Sequence, residues 1–195
     1  MYTDPRVVRF INDHFVPVRV HIGDHADEFK RLSAKYSAQW TPTILVIDST
    51  GEERHRVEGF LPANDFLAQL ELGLGHSAFA RSDFTEAERW FREVVEQYPD
   101  TDAAPEALYW AGVARYKATG DAAALGETAQ QFRQRYQGTS WAKKASVWNE
   151  TVWSSASLSV LVTSRKLSTS RISNPQSSAV FRSSPTPGSA ASGNT

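Results

Sequence analysis

The chain has 195 residues, enough for one mid-sized domain or two small ones with a substantial hydrophobic core. Lys plus Arg number 21 against 22 Asp plus Glu, so a net charge of -1 supplies no bulk field to attract nucleic acid or an anionic membrane. There is no cysteine, which excludes disulfides, thiolate nucleophiles, dithiol redox chemistry and Cys-ligated zinc or iron-sulfur sites in this polypeptide.

Asp4 is a good N-cap with Pro5 at the first helical position, and Val7, Val8, Phe10, Ile11 and Phe15 follow at helix-face spacing. The alternation of Val16, Val18, Val20 and Ile22 predicts a strand over Phe15 to Ile22, with Pro17 tolerable near its start. Phe29, Leu32 and Tyr36 predict a helix from Asp24 to Gln39, stopped by Trp40-Thr41-Pro42. Thr43 to Ile47 reads as an apolar strand, Asp48 to Gly51 as a turn, and Glu53 to Phe60 as the returning strand of a hairpin. Phe66, Leu67, Leu70 and Leu74 then mark one face of a helix over Pro62 to Leu74.

No run reaches the roughly 18 to 20 consecutive apolar residues that a membrane span requires, and the start carries no basic region followed by an apolar stretch. The expectation is a cytoplasmic protein with no membrane partner. Helical periodicity begins almost at Met1, without a leading strand, so a missing beginning is expected as well.

The strand, helix, hairpin and helix order, the Trp40-Thr41-Pro42-Thr43 element before an apolar strand, and the following Gly59-Phe60 resemble the latter part of a thioredoxin-fold domain. The resemblance implies an α/β thioredoxin-like domain with a cis-proline at Pro42. It also implies that the loop Trp40, Thr41, Pro42 and Thr43 binds an extended peptide backbone. The family's Cys-x-x-Cys segment would precede Tyr2, so no position here can carry its nucleophile. The domain is thus expected to be incomplete, lacking a first strand and the Cys-x-x-Cys helix. Its open sheet edge offers a route to self-association.

The second half repeats itself. A shift of 38 residues superposes Asp83 on Asp121, Tyr98 on Tyr136, Thr101 on Thr139, Ala104 on Ala142, Ala107 on Ala145 and Trp110 on Trp148. Ala80, Phe84, Ala87, Phe91, Val94 and Val95 form one apolar helix face, Tyr98 to Thr101 a turn, and Ala107 to Tyr116 a second helix closed by Gly120. Ser77 to Trp148 resembles tetratricopeptide repeats, which implies a partner protein or peptide held on a concave helical face rather than catalysis. Trp90, Trp110 and Trp148 are read as packing between helices.

Beyond Glu150 there is no acidic residue, and 14 serines and five threonines fall in 45 positions. That composition cannot bury enough apolar surface to offset ordering entropy. Leu158 to Val162 is a strand-like exception able to stick to an open sheet edge. The expected organisation is therefore a partial thioredoxin-like domain over 1–75, helical repeats over 76–150 and a Ser-rich disordered tail over 151–195.

Chemical candidates are sparse. His21 and His25, with Asp24 and Asp27, have metal-compatible spacing but sit at a connection, where solvated polar residues are the expected reading, so no metal is assigned. No Gly-rich phosphate loop, nucleophile elbow or H-E-x-x-H helix is present, and no cofactor is expected. Three readings compete: a redox-silent thioredoxin-like repeat protein that binds protein or peptide, a truncated thiol-disulfide oxidoreductase, and a repeat adaptor with a supporting first half. The absence of cysteine favours the first for this chain, with no catalytic residue and Trp40 to Thr43 as the binding loop.

Overall fold

In the computed structural model, residues 3–148 are described, and they lie in a unit that runs Met1–Ser154. The Ser-rich tail and the Leu158 to Val162 run fall outside the described residues. The elements are α1 (Pro5–His14), α2 (Ala26–Lys35), β1 (Thr43–Ile47), β2 (Glu53–Glu58), α3 (Ala63–Ala80), α4 (Phe84–Gln97), α5 (Ala103–Thr119), α6 (Ala123–Arg135) and α7 (Ser140–Ala145). A single tight turn of helix, Ser146–Trp148, follows α7.

The start of α1 forms as its cap dictates: the Asp4 carboxylate accepts the Arg6 backbone N–H at 2.9 Å, and Pro5 opens the helix. Hydrogen bonds from the Arg6 side chain and backbone hold Asp4 down to about 2. The same Arg6 reaches Asn64 Oδ1 at 2.9 Å, which fastens α1 to the first turn of α3.

The strand predicted over Phe15 to Ile22 is not formed, and that segment runs on as irregular chain. Alternation supplies a face to bury, but a strand also needs a neighbour for its backbone N–H and C=O groups, and none pairs with it among the described residues. Val16 and Val18 are accordingly 92% and 81% exposed. The following helix is shorter than its periodicity suggested, because Ser37 enters the left-handed region at φ 51 just after the α2 C-cap Tyr36.

The hairpin forms where the turn chemistry places it. Strands β1 and β2 pair antiparallel, with Thr43 opposite Glu58, Ile44 opposite Val57, Leu45 opposite Arg56 and Val46 opposite His55, and a bulge between Val46 and Ile47. Helix α3 runs six residues past the predicted Leu74 and stops at the turn Arg81-Ser82-Asp83, so Ala80 and Phe84 belong to different helices. Asp83 then caps α4 by accepting the Glu86 N–H at 3.2 Å.

Among the described residues, two apolar clusters result. One joins Val7 of α1, Val46 of β1 and Phe66, Leu67 and Leu70 of α3. The other takes Ala68, Leu72 and Ala78 from the same helix together with Phe91, Val94, Ala107, Leu108, Phe132 and Trp148 from the helices beyond it. Helix α3 therefore belongs to both cores, and its glycines set how closely its neighbours approach. A Cβ on Gly73 would lie 2.8 Å from Val46 Cγ2, and one on Gly75 would collide with the ring of Phe91, itself fully buried.

The 38-residue repeat of the sequence is expressed as a repeated turn. The Tyr98 carbonyl accepts from the Thr101 hydroxyl at 2.8 Å, and the Tyr136 carbonyl accepts from the Thr139 hydroxyl at 2.9 Å. Tyr136 also donates its hydroxyl to the Pro99 carbonyl at 3.0 Å, fixing the second turn against the first. Gly120 closes α5 in the left-handed conformation at φ 74. Trp148 stacks on Tyr109 with ring centroids 4.4 Å apart, Trp110 lies edge-on to His76 and Phe79, and Trp90 meets Phe10 and His14 of α1.

Glu71 of α3 is the buried charge of this arrangement, only 3% exposed, with Oε2 lacking a hydrogen-bond partner. Glu93 adds repulsion, while Tyr98 and, more weakly, Arg89 favour the charged form of Glu71. Burial first, then Glu93, raises the carboxyl to about 7, and burial followed by Glu71 pushes Tyr98 to about 12.

Two outcomes follow from this packing. Gly75→Ala forces the Phe91 ring to shift, a cost of about 1 to 3 kcal/mol that outweighs the roughly 1 kcal/mol helix-propensity gain. Its urea midpoint should fall, and a rise would show that α3 and α4 have slack. The folded Glu71 carboxyl takes up its proton at about 7 and the unfolded one near 4.5, so its contribution to stability is fully present below 4.5 and is lost as pH rises through 7. Glu71→Gln removes this loss and should exceed the parent chain by about 2 kcal/mol at pH 8, with the difference closing towards pH 4.5. Parallel pH profiles for the two chains would remove Glu71 as the cause.

Candidate functional site

The hairpin is organised from its turn. Asp48 Oδ1 accepts from the backbone N–H groups of Thr50 and Glu52 at 2.8 and 3.2 Å and from the Thr50 hydroxyl at 2.5 Å. Its other oxygen takes the Arg54 guanidinium at 2.5 Å. These bonds, the Thr50 hydroxyl foremost, hold the Asp48 carboxyl well below the usual carboxylate range.

Arg56 of β2 ties the hairpin to α2. Its guanidinium pairs with Glu53 at 2.6 Å and Glu58 at 3.3 Å and donates to the Tyr36 carbonyl at the α2 C-cap. The Tyr36 hydroxyl donates in turn to the Gly51 carbonyl at 3.3 Å. The chain leaving α2 is thus anchored at Tyr36 and again at β1, and residues 37–42 bridge the two anchors.

That bridge carries Trp40, Thr41 and Pro42, all exposed, with Thr43 half-buried at the start of β1. The Thr43 hydroxyl donates back to the Trp40 carbonyl at 2.7 Å, and the Gly59 N–H donates to the Pro42 carbonyl at 2.9 Å. The Thr41–Pro42 peptide is cis. Since Thr43 lies opposite Glu58, Trp40 and Phe60 emerge at the same end of the hairpin, 68% and 70% exposed. Phe60, read from the sequence as the end of the returning strand and as part of the Gly59-Phe60 element, is a surface residue just past the end of β2. Counting the hairpin register from Thr43 is the signal that locates it.

Chemically this end of the hairpin offers two uncovered aromatic surfaces and, along the edge of β1 away from β2, backbone groups that no strand among the described residues takes up. Thr41 and Thr43 contribute only hydroxyls, and the Thr43 hydroxyl is already committed to Trp40. No acid-base pair or activated nucleophile is assembled by Trp40, Thr41, Pro42 and Thr43.

The other sequence candidates are dispersed. His21 pairs with Asp24 at 3.0 Å, His25 caps α2 without a side-chain hydrogen bond, and both histidines are exposed. Among the described residues no group of three or more ligating side chains gathers as a metal site, and no helix is long and apolar enough to cross a membrane.

Residues 1–73 match a family described as a thioredoxin-like domain, the stretch that carries α1, α2, the hairpin and the first half of α3. That match supports a thioredoxin-like fold for the N-terminal part of the chain, and the described remainder is all helical. No curated protein and no solved structure matches the chain.

The charge on Asp48 has a measurable signature. Because the folded carboxyl titrates below its ordinary 3.8, its contribution is present above that pH and lost as pH falls through the folded value. Asp48→Asn should be less stable than the parent at pH 6, with the gap narrowing in urea titrations taken below pH 4. A gap that stays constant down to pH 2 would mean that the carboxylate charge is not what organises the turn.

Proposed function

We propose that this is a thioredoxin-like protein with tetratricopeptide-like helix pairs that acts by binding an extended peptide or protein segment at the Trp40–Thr43 loop, without redox chemistry of its own. The observation that carries the reading is the exposure of Trp40 and Phe60 together at the end of a hairpin whose β1 edge is unpaired among the described residues. Backbone pairing along a free edge supplies affinity that is indifferent to sequence, and flanking aromatics supply the apolar anchors that dominate small interfaces. The 195 residues contain no cysteine, so thiol-disulfide exchange is not among their reactions. The matched turns at Tyr98 and Tyr136 support the duplicated helix pair, for which a binding role is the ordinary use.

The test is a titration of the isotope-labelled chain with a soluble extended peptide, acetyl-Lys-Val-Thr-Val-Lys-amide. Saturable shifts of the Trp40 indole and of the Thr43 and Ile44 amides are expected. Combining Trp40→Ala with Phe60→Ala should weaken binding by about tenfold or more, the scale of a lost aromatic anchor. Unchanged affinity in that variant, or shifts confined to other elements, would overturn the assignment.

A further inference from the structure

The hairpin meets the helices through a row of polar side chains that crosses three elements. His55 of β2 faces α3, where its Nε2–H donates to Gln69 Oε1 at 2.6 Å. Further along α3 the His76 ring stacks on that of His55, with centroids 5.9 Å apart and an interplanar angle of 21°. His76 Nε2 in turn faces Glu106 Oε1 of α5 at 3.4 Å. The row reaches solvent at this end, where the side chains of His76 and Glu106 are 18% and 27% exposed, so protons in solution have access to it.

The two rings have little freedom to part. A Cβ on Gly73 would lie 3.2 Å from His55 Cβ and 2.8 Å from Val46 Cγ2, so the hairpin rests directly on the α3 backbone. His76 is hemmed in as well, with Phe91 and Trp110 edge-on to its ring at 5.2 and 5.3 Å. Imidazoles held face to face in this way repel each other once both carry a proton, and the His55 ring cannot move far from His76 while the strand stays docked. Burial is the largest influence on His55 and lowers its proton affinity. Gln69 opposes that, His76 adds to it, and Glu106 of α5 and Glu53 of its own strand act in favour of the proton.

We propose that the His55–His76 pair is a proton-sensitive latch: acid that protonates both rings drives them apart and releases the hairpin, with the Trp40–Thr43 loop it carries, from α3. The latch concerns how the hairpin docks and stands whatever that loop binds. A hairpin lifted from α3 returns His55 to water and to its ordinary 6.5, whereas the docked ring takes a proton only at lower pH. The lifted state therefore binds more protons, so docking is intact above 6.5 and weakens as pH falls below it. Protonation of Glu71 acts in the opposite sense and favours the packed helices as pH falls from 7.

Amide hydrogen exchange on the full labelled chain, corrected for the intrinsic rate at each pH, separates the two effects. A two-stranded hairpin is marginal by itself, so the amides that pair β1 with β2 report its release. Between pH 7 and 5 they should lose protection, by up to about tenfold per pH unit, the limit for one proton, while the amides of α4 and α5 do not. His55→Gln keeps a donor for Gln69 and removes the titration, so its hairpin should hold its protection down to pH 5. His76→Gln removes the facing cation and leaves the burial of His55, so the acid loss should be smaller than in the parent but not absent. A measurement on the parent alone needs no variant to fold: followed by its imidazole signals, the His55 ring should titrate below 6.5. Equal loss of protection in hairpin and helices, no loss in the parent, an unchanged loss in either variant, or a His55 ring titrating at 6.5 or above would overturn the proposal.

Discussion

The whole arrangement depends on one helix being shared by two cores. Phe66, Leu67 and Leu70 of α3 close the cluster under the hairpin and α1, while Ala68, Leu72 and Ala78 close the cluster under α4 and α5. A helix with apolar residues on more than one side cannot satisfy both faces against a single layer, so the hairpin and the first helix pair are bound to the same rod. Gly73 and Gly75 set the separation, one against Val46 and the other against Phe91. The entropic cost of placing two glycines in a helix is offset by stronger dispersion attraction, because the neighbouring side chains approach the backbone without an intervening methyl group.

Burial on both sides has an electrostatic consequence. Glu71 lies buried on the shared helix, and Tyr98 packs against both clusters. The turn that ends α4 is therefore tied to both clusters by apolar contact. His55 of β2 adds a related feature: burial lowers its proton affinity while Gln69 of α3 holds the ring at 2.6 Å, and it stacks over His76 at 5.9 Å. Polar groups thus lie along α3 where two layers meet: Gln69 has its partner on the neighbouring β2, while Glu71 Oε2 has none.

Much of this was legible in the sequence wherever the signal was local. Asp4 with Pro5, Asp48 to Gly51 and Gly120 each act through groups within a few residues, and each forms the cap or turn expected of it. The Phe15 to Ile22 alternation failed for the opposite reason, since a strand is defined by a partner that its own residues do not encode. The full length of α3 was hidden because Gly73, Gly75 and Ser77 argue against a helix locally, and only the close approach of Val46 and Phe91 explains the presence of the two glycines. The Trp40–Thr43 loop was legible as a position before an apolar strand, whereas Phe60 required the hairpin register.

At the β1 edge the groups that no strand among the described residues takes up are backbone amides and carbonyls, and Trp40 and Phe60 stand exposed at the same end of the hairpin. A ligand met there would be selected by chain direction and apolar bulk rather than by charge. The hairpin packs on α3, so the helix that closes both clusters also holds that end in place.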